Sequence, residues 1–453
     1  MKHTDVLVIG GSAAGLVAAL SARAHYPEKK VLLVRKEEHV AIPCGIPYIF
    51  GSLEQTMLDV LPDTGLQKSE VEILVDEVMD VNGEKHECTL RNGTTLSYEK
   101  LILATGSLPV VPGWLEGTRL EHVYTVPKNL VYLDAMKKKL EGMRRVVVIG
   151  AGFIGIEMSD ELGKSDREII LVEHQDQVLP LAFDPDLAGE AEKLLKERNI
   201  DVRTRTRVKA ILGKERVEGV LLESDAGEEH IQVDGVVLAV GYEPNVSLAR
   251  GLDVTFNRDG FIKVDEYMRT DQEDVFAVGD CAEKRDFFTR KRSKAMLASI
   301  ACAEARVAGM NLYKLSTLKN ISGTIAIFST ALNGTGFGAA GLTETLARQE
   351  GFDILVGKFE GVDRHPGILN HPHKQIVKLI AGRENGILLG GEVMGGSSTG
   401  ELINIIGLII QNKMNVNHLL TMQIGTHPLL TASPAAYPLI KAAEQIAREF
   451  WKK

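Results

Sequence analysis

Short runs of Val, Ile and Leu set the rhythm of the N-terminal half of the chain. Residues 6–9, 31–34 and 101–104 are almost uninterrupted aliphatic stretches, the composition of strands covered on both faces, and Ala-rich stretches lie between them. Strands alternating with helices predict a parallel sheet in an α/β domain. The pattern restarts at Arg144: residues 146–149, a glycine turn, a helix, and residues 169–173. A repeated strand–helix–strand unit predicts two dinucleotide sites in one chain. After Asn245 come short strands, including 275–278, and a helix from about 293 to 309, which reads as the first domain resuming. From about residue 321 strands and helices mix, and the chain closes on an amphipathic helix over 438–451, predicting a separate α+β domain. The expected division is 1–113 with 247–320, then 114–246, then 321–453.

Composition narrows the class. A chain of 453 residues exceeds one ordinary core, and 44% apolar with 25% charged residues is the balance of a folded protein. The net charge of −9, with basic residues scattered, offers no footprint for nucleic acid or an anionic membrane. The longest apolar run, 403–410, falls far short of the roughly 20 residues that span a bilayer, so it is expected in a core. No basic leader precedes the first strand, and a cytoplasmic enzyme is expected. Cys44, Cys88, Cys281 and Cys302 are far apart without a CxxC pair, which argues against a zinc ribbon or a secreted disulfide framework; no metal site is expected, and a catalytic thiol remains open.

Gly10, Gly11, Ser12, Ala13, Ala14 and Gly15 follow the first strand and open a helix. Small residues there let the backbone approach a pyrophosphate, whose charge the helix N-terminus stabilises; a plain strand-to-helix turn is the alternative. The acidic residue expected after the second strand is absent, and Arg35, Lys36, Glu37 and Glu38 stand there. Either Glu37 takes the adenosine ribose, or Arg35 stacks on adenine with Lys36 near a phosphate. The second fingerprint, Gly150, Gly152 and Gly155 with Phe153 and Ile154 between, is complete, and Glu173 ends the next strand. A carboxylate at that place accepts hydrogen bonds from both ribose hydroxyls and repels a 2′-phosphate, which predicts NADH over NADPH.

With these stand Ala104-Thr105-Gly106-Ser107, Gly241-Tyr242-Glu243-Pro244-Asn245 and Val278-Gly279-Asp280. Their order and spacing resemble the flavoprotein disulfide reductases with two dinucleotide domains, over nearly the whole chain. The resemblance implies two Rossmann-like domains, for FAD and NAD, and a C-terminal dimerisation domain. It implies that Asp280 beside Gly279 binds the ribityl chain of FAD, that the Val78 backbone meets adenine, and that Pro43 lies among the flavin contacts. It also puts Glu157 close to flavin and nicotinamide.

Dithiol members carry CxxxxC after the first unit, whereas this chain has only Cys44, in Cys44-Gly45-Ile46-Pro47-Tyr48. That segment is similar to the single-cysteine branch of coenzyme A disulfide reductases, persulfide and polysulfide reductases, and NADH oxidases and peroxidases. A lone thiolate beside flavin attacks a disulfide or sulfane sulfur, holds one half, and is released by two electrons. The branch usually has Ser-Phe before the cysteine, and Val40-Ala41 stands here. Its oxidases and peroxidases place a histidine where this chain has Ala13, so a thiol, persulfide or disulfide acceptor is expected before peroxide or oxygen. Two other readings are an NADH oxidase or peroxidase cycling through a sulfenic acid, and electron transfer to a quinone or partner protein with Cys44 tuning the flavin. Cys88, Cys281 and Cys302 are expected to pack.

Gly341-Leu342-Thr343-Glu344 resembles a segment of the family's dimerisation domain, which implies a homodimer with a shared site. The His-Pro that acts from the partner subunit in dithiol members is present as His427-Pro428, but Ala432 stands where its glutamate belongs. His427 is the leading candidate proton donor, with His365 and Tyr437 behind it. The substrate is expected to be a small sulfur or thiol compound. Coenzyme A derivatives are one candidate, weakened by a first helix whose end is less basic than usual, although Arg23 and the later Lys29 and Lys30 could meet phosphates.

Overall fold

The computed structural model describes residues 2–319, 322–365, 371–450 and 452. Strands Glu72–Val75, Val31–Arg35, Lys2–Ile9, Thr95–Leu103 and Val275–Ala277 lie side by side, all parallel, in that order. Val6, Leu7 and Val8 have no exposed surface, because helices cover both faces of their sheet. One is Ala13–His25, which packs by its small residues Gly15, Ala18, Ala19 and Ala22. The helix expected from 293 begins instead at Ala298 and runs to Met310. Arg292 and Ser293 are drawn off to pair with Lys284 and Arg285 in a two-stranded ribbon.

The second unit repeats the plan in strands Asp201–Arg203, Glu168–Val172, Arg145–Ile149, Gly235–Leu238 and Val123–Thr125, again parallel. The C-terminal part is a five-stranded antiparallel sheet, Phe328–Leu332, Thr335–Gly341, Leu388–Gly395, Lys374–Gly382 and Ile354–Val362. Helix Thr399–Gln411 holds the whole apolar run expected in a core, with Ile403, Ile406 and Ile410 buried but Leu408 on the surface. Helix Pro438–Phe450 buries Leu439, Ala442, Ala443 and Ile446, the i, i+3, i+4, i+7 stripe of an amphipathic helix; Trp451 lies outside the described residues. Among the described residues no helix is long and apolar enough to cross a membrane.

One apolar cluster joins the three parts and fixes the segment after Cys44. Ile46, Ile49 and Phe50 pack with Leu133, Ile156 and Met158 of the second unit and with Phe337 and Ile376 of the C-terminal sheet. Gly51 lies so close to the helix Phe153–Leu162 that an added Cβ would sit 2.3 Å from the Glu161 carbonyl oxygen.

A buried ionic cluster makes the second joint. Lys378 Nζ lies 2.9 Å from Asp184, 3.1 Å from Glu344 and 3.7 Å from Glu392. Burial works against the Asp184 carboxylate, but hydrogen bonds from Thr345 and Lys378 outweigh it and lower the group to about 2. Burial, then the Asp184 charge, pushes the Glu392 carboxyl up to about 8. The folded chain therefore keeps a proton on Glu392 that the unfolded chain releases above its ordinary 4.5. That contribution is whole below 4.5 and is lost as pH rises through 8. The thermal midpoint is expected to fall between pH 5.5 and 8.5, and Glu392→Gln to flatten that fall; an unchanged slope in the variant puts the proton elsewhere.

Candidate active site

The two glycine turns are copies of one design. Gly10 has φ +115°, and an added Cβ would lie 2.2 Å from the Ala104 carbonyl oxygen; Gly150 has φ +99° and meets the Ala239 carbonyl oxygen at 2.6 Å. A Cβ on Gly15 would lie 1.8 Å from the Gly10 oxygen, and one on Gly155 would lie 1.8 Å from the Gly150 oxygen. Glycine is thus required by close backbone approach at the same places in both turns. The middle position differs, because a Cβ on Gly152 would meet nothing within 4 Å. It faces open space at a helix N-terminus, where an anionic ligand fits. Ser12, its counterpart, caps the first helix, and among the described residues its hydroxyl makes no side-chain cap bond.

The motifs between and after these turns clasp one another. Thr105 Oγ1 donates to the Asn245 carbonyl oxygen at 2.6 Å, the Asn245 N–H donates to the Gly106 carbonyl at 2.9 Å, and Ser107–Pro109 pairs antiparallel with Tyr242–Pro244. Gly279 turns at φ +74° against Ala14, and its N–H donates to buried Glu304 at 2.9 Å. Asp280, next in line, accepts from Ser107 at 2.7 Å and from Lys128 Nζ at 2.8 Å. Burial works against the Asp280 carboxylate, but Lys128 and Ser107 hold it below the usual range.

Cys44 opens into a cavity of about 410 Å³ lined also by Tyr48, Glu157, Thr330, Ser397 and Thr399. It lies inside a tight turn that the Gly45 N–H closes on the Ile42 carbonyl oxygen at 2.8 Å. A Cβ on Gly45 would lie 1.8 Å from Asp59 Oδ1, so the residue after the thiol must be small. The thiol is exposed to the cavity but hemmed by protein, and burial first, then the Glu157 charge, pushes its pKa up while Lys128 opposes them. Glu157 comes from the helix after the second glycine turn and accepts from Thr330 Oγ1 at 2.5 Å.

The whole constellation has known counterparts. Residues 4–305 match the model of the pyridine nucleotide-disulphide oxidoreductases, and residues 327–436 match that family's dimerisation domain. The chain belongs to this oxidoreductase family. It is 30% identical to a protein named NADH oxidase from Methanocaldococcus jannaschii, with 99% of both chains aligned. It is 32% identical to an NAD(P)H coenzyme A polysulfide/persulfide reductase from Pyrococcus horikoshii, over 86% of this chain and 87% of that one. Among solved structures, an NAD-dependent persulfide reductase from A. fulgidus superposes with a TM-score of 0.89 at 28% identity, covering 98% of this chain and 83% of that one.

Membership in the pyridine nucleotide-disulphide oxidoreductases brings FAD and a nicotinamide dinucleotide as cofactors, and this chain's two glycine cradles fit them. At the first cradle, Arg35 does not offer a free charge. Its guanidinium pairs with both oxygens of Asp63, at 2.6 and 2.7 Å, and donates to the Glu38 carbonyl oxygen. Its stem runs beside Gly11, where an added Cβ would lie 2.6 Å from Arg35 Cδ. Lys36 lies 3.6 Å from Glu37, whose carboxyl burial pushes up. Val78 begins a strand at a bulge opposite Leu90. At the second cradle, Glu173 is buried, accepts the Ala151 N–H at 2.8 Å, and meets His174 Nδ1 at 2.8 Å.

Sequence reasoning missed Lys128, Thr330 and Asp59, none of which belongs to a motif. His365, His427 and Tyr437 are not among the described residues lining the Cys44 cavity of their own subunit. The His365 N–H donates to the Pro428 carbonyl at 3.3 Å, so the two histidine segments lie together; Pro366 and Gly367 fall outside the described residues. Ala432, which stands in place of that glutamate, is buried. Cys88 and Cys281 are buried, whereas Cys302 is partly exposed, with Sγ 3.8 Å from the Ala13 carbonyl oxygen.

Proposed function

We propose that this enzyme carries electrons from NADH through FAD to sulfur held on Cys44 and releases a thiol or sulfide, working as a homodimer. FAD, when bound, accepts a hydride's two electrons and passes them to sulfur. The observation that carries the reading is an exposed Cys44 that opens into a cavity shared with Glu157, two residues past the second glycine cradle, with Ala13 where the oxidases and peroxidases of the branch have histidine. The persulfide and polysulfide reductases among its relatives support it. Gly10, Ser12, Ala13, Ala14 and Gly15 cradle the FAD pyrophosphate, Asp280 holds the ribityl chain, and Lys128 sets the charge beside it. Such thiol chemistry suits the reducing cytoplasm.

The acceptor is small. Among the described residues that line the cavity none is Lys or Arg, although coenzyme A carries several phosphate charges. Arg23 and Lys29, which follow the first cradle, are engaged with Glu70 and Glu99. Anaerobic NADH oxidation with polysulfide, coenzyme A persulfide and coenzyme A disulfide tests this order, and coenzyme A disulfide turning over fastest overturns it. The relative named NADH oxidase supports a second reading, in which oxygen is reduced, and oxygen consumption without any sulfur turnover selects it.

Glu173 makes the donor NADH. Its carboxylate keeps acceptor capacity for a ribose hydroxyl and repels a 2′-phosphate. Glu173→Ala is expected to lower kcat/KM for NADH by about 10- to 100-fold, the loss of a charged hydrogen bond, and to lower the NADPH value less. Comparable NADH and NADPH turnover in the natural chain removes this assignment.

A further inference from the structure

We propose that His174 decides how strictly the second cradle rejects a phosphorylated adenosine ribose, so that a dinucleotide carrying a 2′-phosphate is admitted as the pH falls. The inference rests on the reading in which Glu173 makes the donor NADH, and it names the residue that switches that preference. A carboxylate repels a 2′-phosphate through its charge, and a cation set against the carboxylate cancels that repulsion. Histidine is the side chain that gains a charge between about pH 5 and 8.

The fold sets the two groups together. His174 follows Glu173 just past strand Glu168–Val172, and its Nδ1 lies 2.8 Å from Glu173 Oε1. The Ala151 N–H, between Gly150 and Gly152, donates to Glu173 Oε2 at 2.8 Å, which ties the pair to the glycine turn. The His174 side chain is 59% exposed and that of Glu173 5%, so the imidazole is the outer member of the pair and open to an arriving ligand. The other charged groups around it are Asp176, two residues on, and Arg203 and Arg205 at the end of the neighbouring strand. There the Glu173 N–H donates to the Arg203 carbonyl at 2.9 Å and the Arg205 N–H to the Gln175 carbonyl at 2.7 Å. Arg203 is engaged with Asp201 and Glu229, at 2.9 and 2.5 Å. Arg205, exposed and held at φ +49°, makes no ion pair among the described residues and offers a phosphate a cation.

The direction follows from charge. While His174 is neutral, Glu173 meets the ligand as an uncompensated anion, and a 2′-phosphate is repelled. Once His174 is protonated, the pair carries no net charge and both ring N–H groups are donors. A ligand with a 2′-phosphate therefore binds more tightly as pH falls, and by linkage its binding draws a proton onto His174. A ribose with free hydroxyls gains nothing from the cation, so its binding is expected to stay level. The phosphate itself takes up a proton at about pH 6, which works in the same direction and has to be subtracted.

Binding of ADP-ribose and of 2′-phospho-ADP-ribose to the flavin-loaded full chain tests this without turnover. The ratio of dissociation constants, phosphorylated over unphosphorylated, is expected to fall about tenfold further between about pH 8 and about pH 6 in the natural chain than in His174→Gln, which keeps only the titration of the phosphate. His174→Arg, whose charge is permanent, is expected to hold the ratio low at both pH values. NADPH turnover relative to NADH is expected to follow the same course. An equal fall in the natural chain and His174→Gln overturns the switch, as does a ratio in His174→Arg as high as that of His174→Gln at about pH 8. Equal dissociation constants for the two ligands in the natural chain at about pH 8 overturn the Glu173 reading itself.

Discussion

Cys44→Ser is expected to lower NADH-dependent sulfur reduction by at least about 10³-fold, the scale of removing a nucleophile, while the protein stays folded and keeps its flavin. The structural cost is small because the thiol is exposed to the cavity and makes no hydrogen bond among the described residues. An exposed substitution of this kind changes stability by about 0.5 kcal/mol or less. The chemical cost is large because a serine hydroxyl neither ionises near neutral pH nor stores a second sulfur. Flavin content, thermal midpoint and anaerobic reduction by NADH are measured beside turnover, so that a collapsed protein is not mistaken for a missing nucleophile. Cys88→Ser has no parallel effect on the chemistry, since burial raises that thiol to about 12 and keeps it from any acceptor. If Cys44→Ser still reduces quinone analogues at the natural rate, the chain passes electrons onward and the cysteine only tunes the flavin. If the serine variant loses oxygen turnover as well, the oxidase reading gains a sulfenic-acid step.

What was legible in the sequence is what the backbone constrains locally. Gly10, Gly15, Gly150 and Gly155 answer to contacts within a few residues or across one adjacent strand, so a short pattern carries them. Ala104-Thr105-Gly106 and Gly241 to Asn245 were legible as motifs for the same reason, although their mutual clasp was not. The side chains that tune the site were hidden. Thr330 reaches Glu157 across 173 residues and Lys128 reaches Asp280 across 152, and neither position has a neighbour that marks it. Arg35 was visible as a departure, but its partner Asp63 sits in a connecting segment without a pattern, so its charge looked free when it is not. The late start of the helix at Ala298 has a similar origin. Residues 292–293 are claimed by a strand pairing whose partner, 284–285, gives no strand signal of its own.

The paired glycines allow the two cofactor sites to be separated by substitution. Gly15→Ala is expected to yield a colourless protein, with flavin occupancy lowered about tenfold or more, because the new Cβ would sit 1.8 Å from the Gly10 carbonyl oxygen. That contact is with backbone, so the turn must open, and overpacking of this kind costs about 1–3 kcal/mol, or roughly 5- to 150-fold in binding when it falls on the bound conformation. Gly155→Ala imposes the same 1.8 Å conflict on the second turn, and there the protein should stay yellow while KM for NADH rises by a similar factor. Stability complicates both variants, since either displaced turn also loosens the helix behind it. Gly152→Ala removes the complication. Its Cβ meets no protein atom within 4 Å, so the thermal midpoint of the protein without NADH should not move. Any weakening of NADH binding in that variant then reports the space reserved for the dinucleotide. Unaltered NADH binding in Gly152→Ala would mean that the pyrophosphate lies away from this turn, and the second fingerprint would be only a strand-to-helix connection.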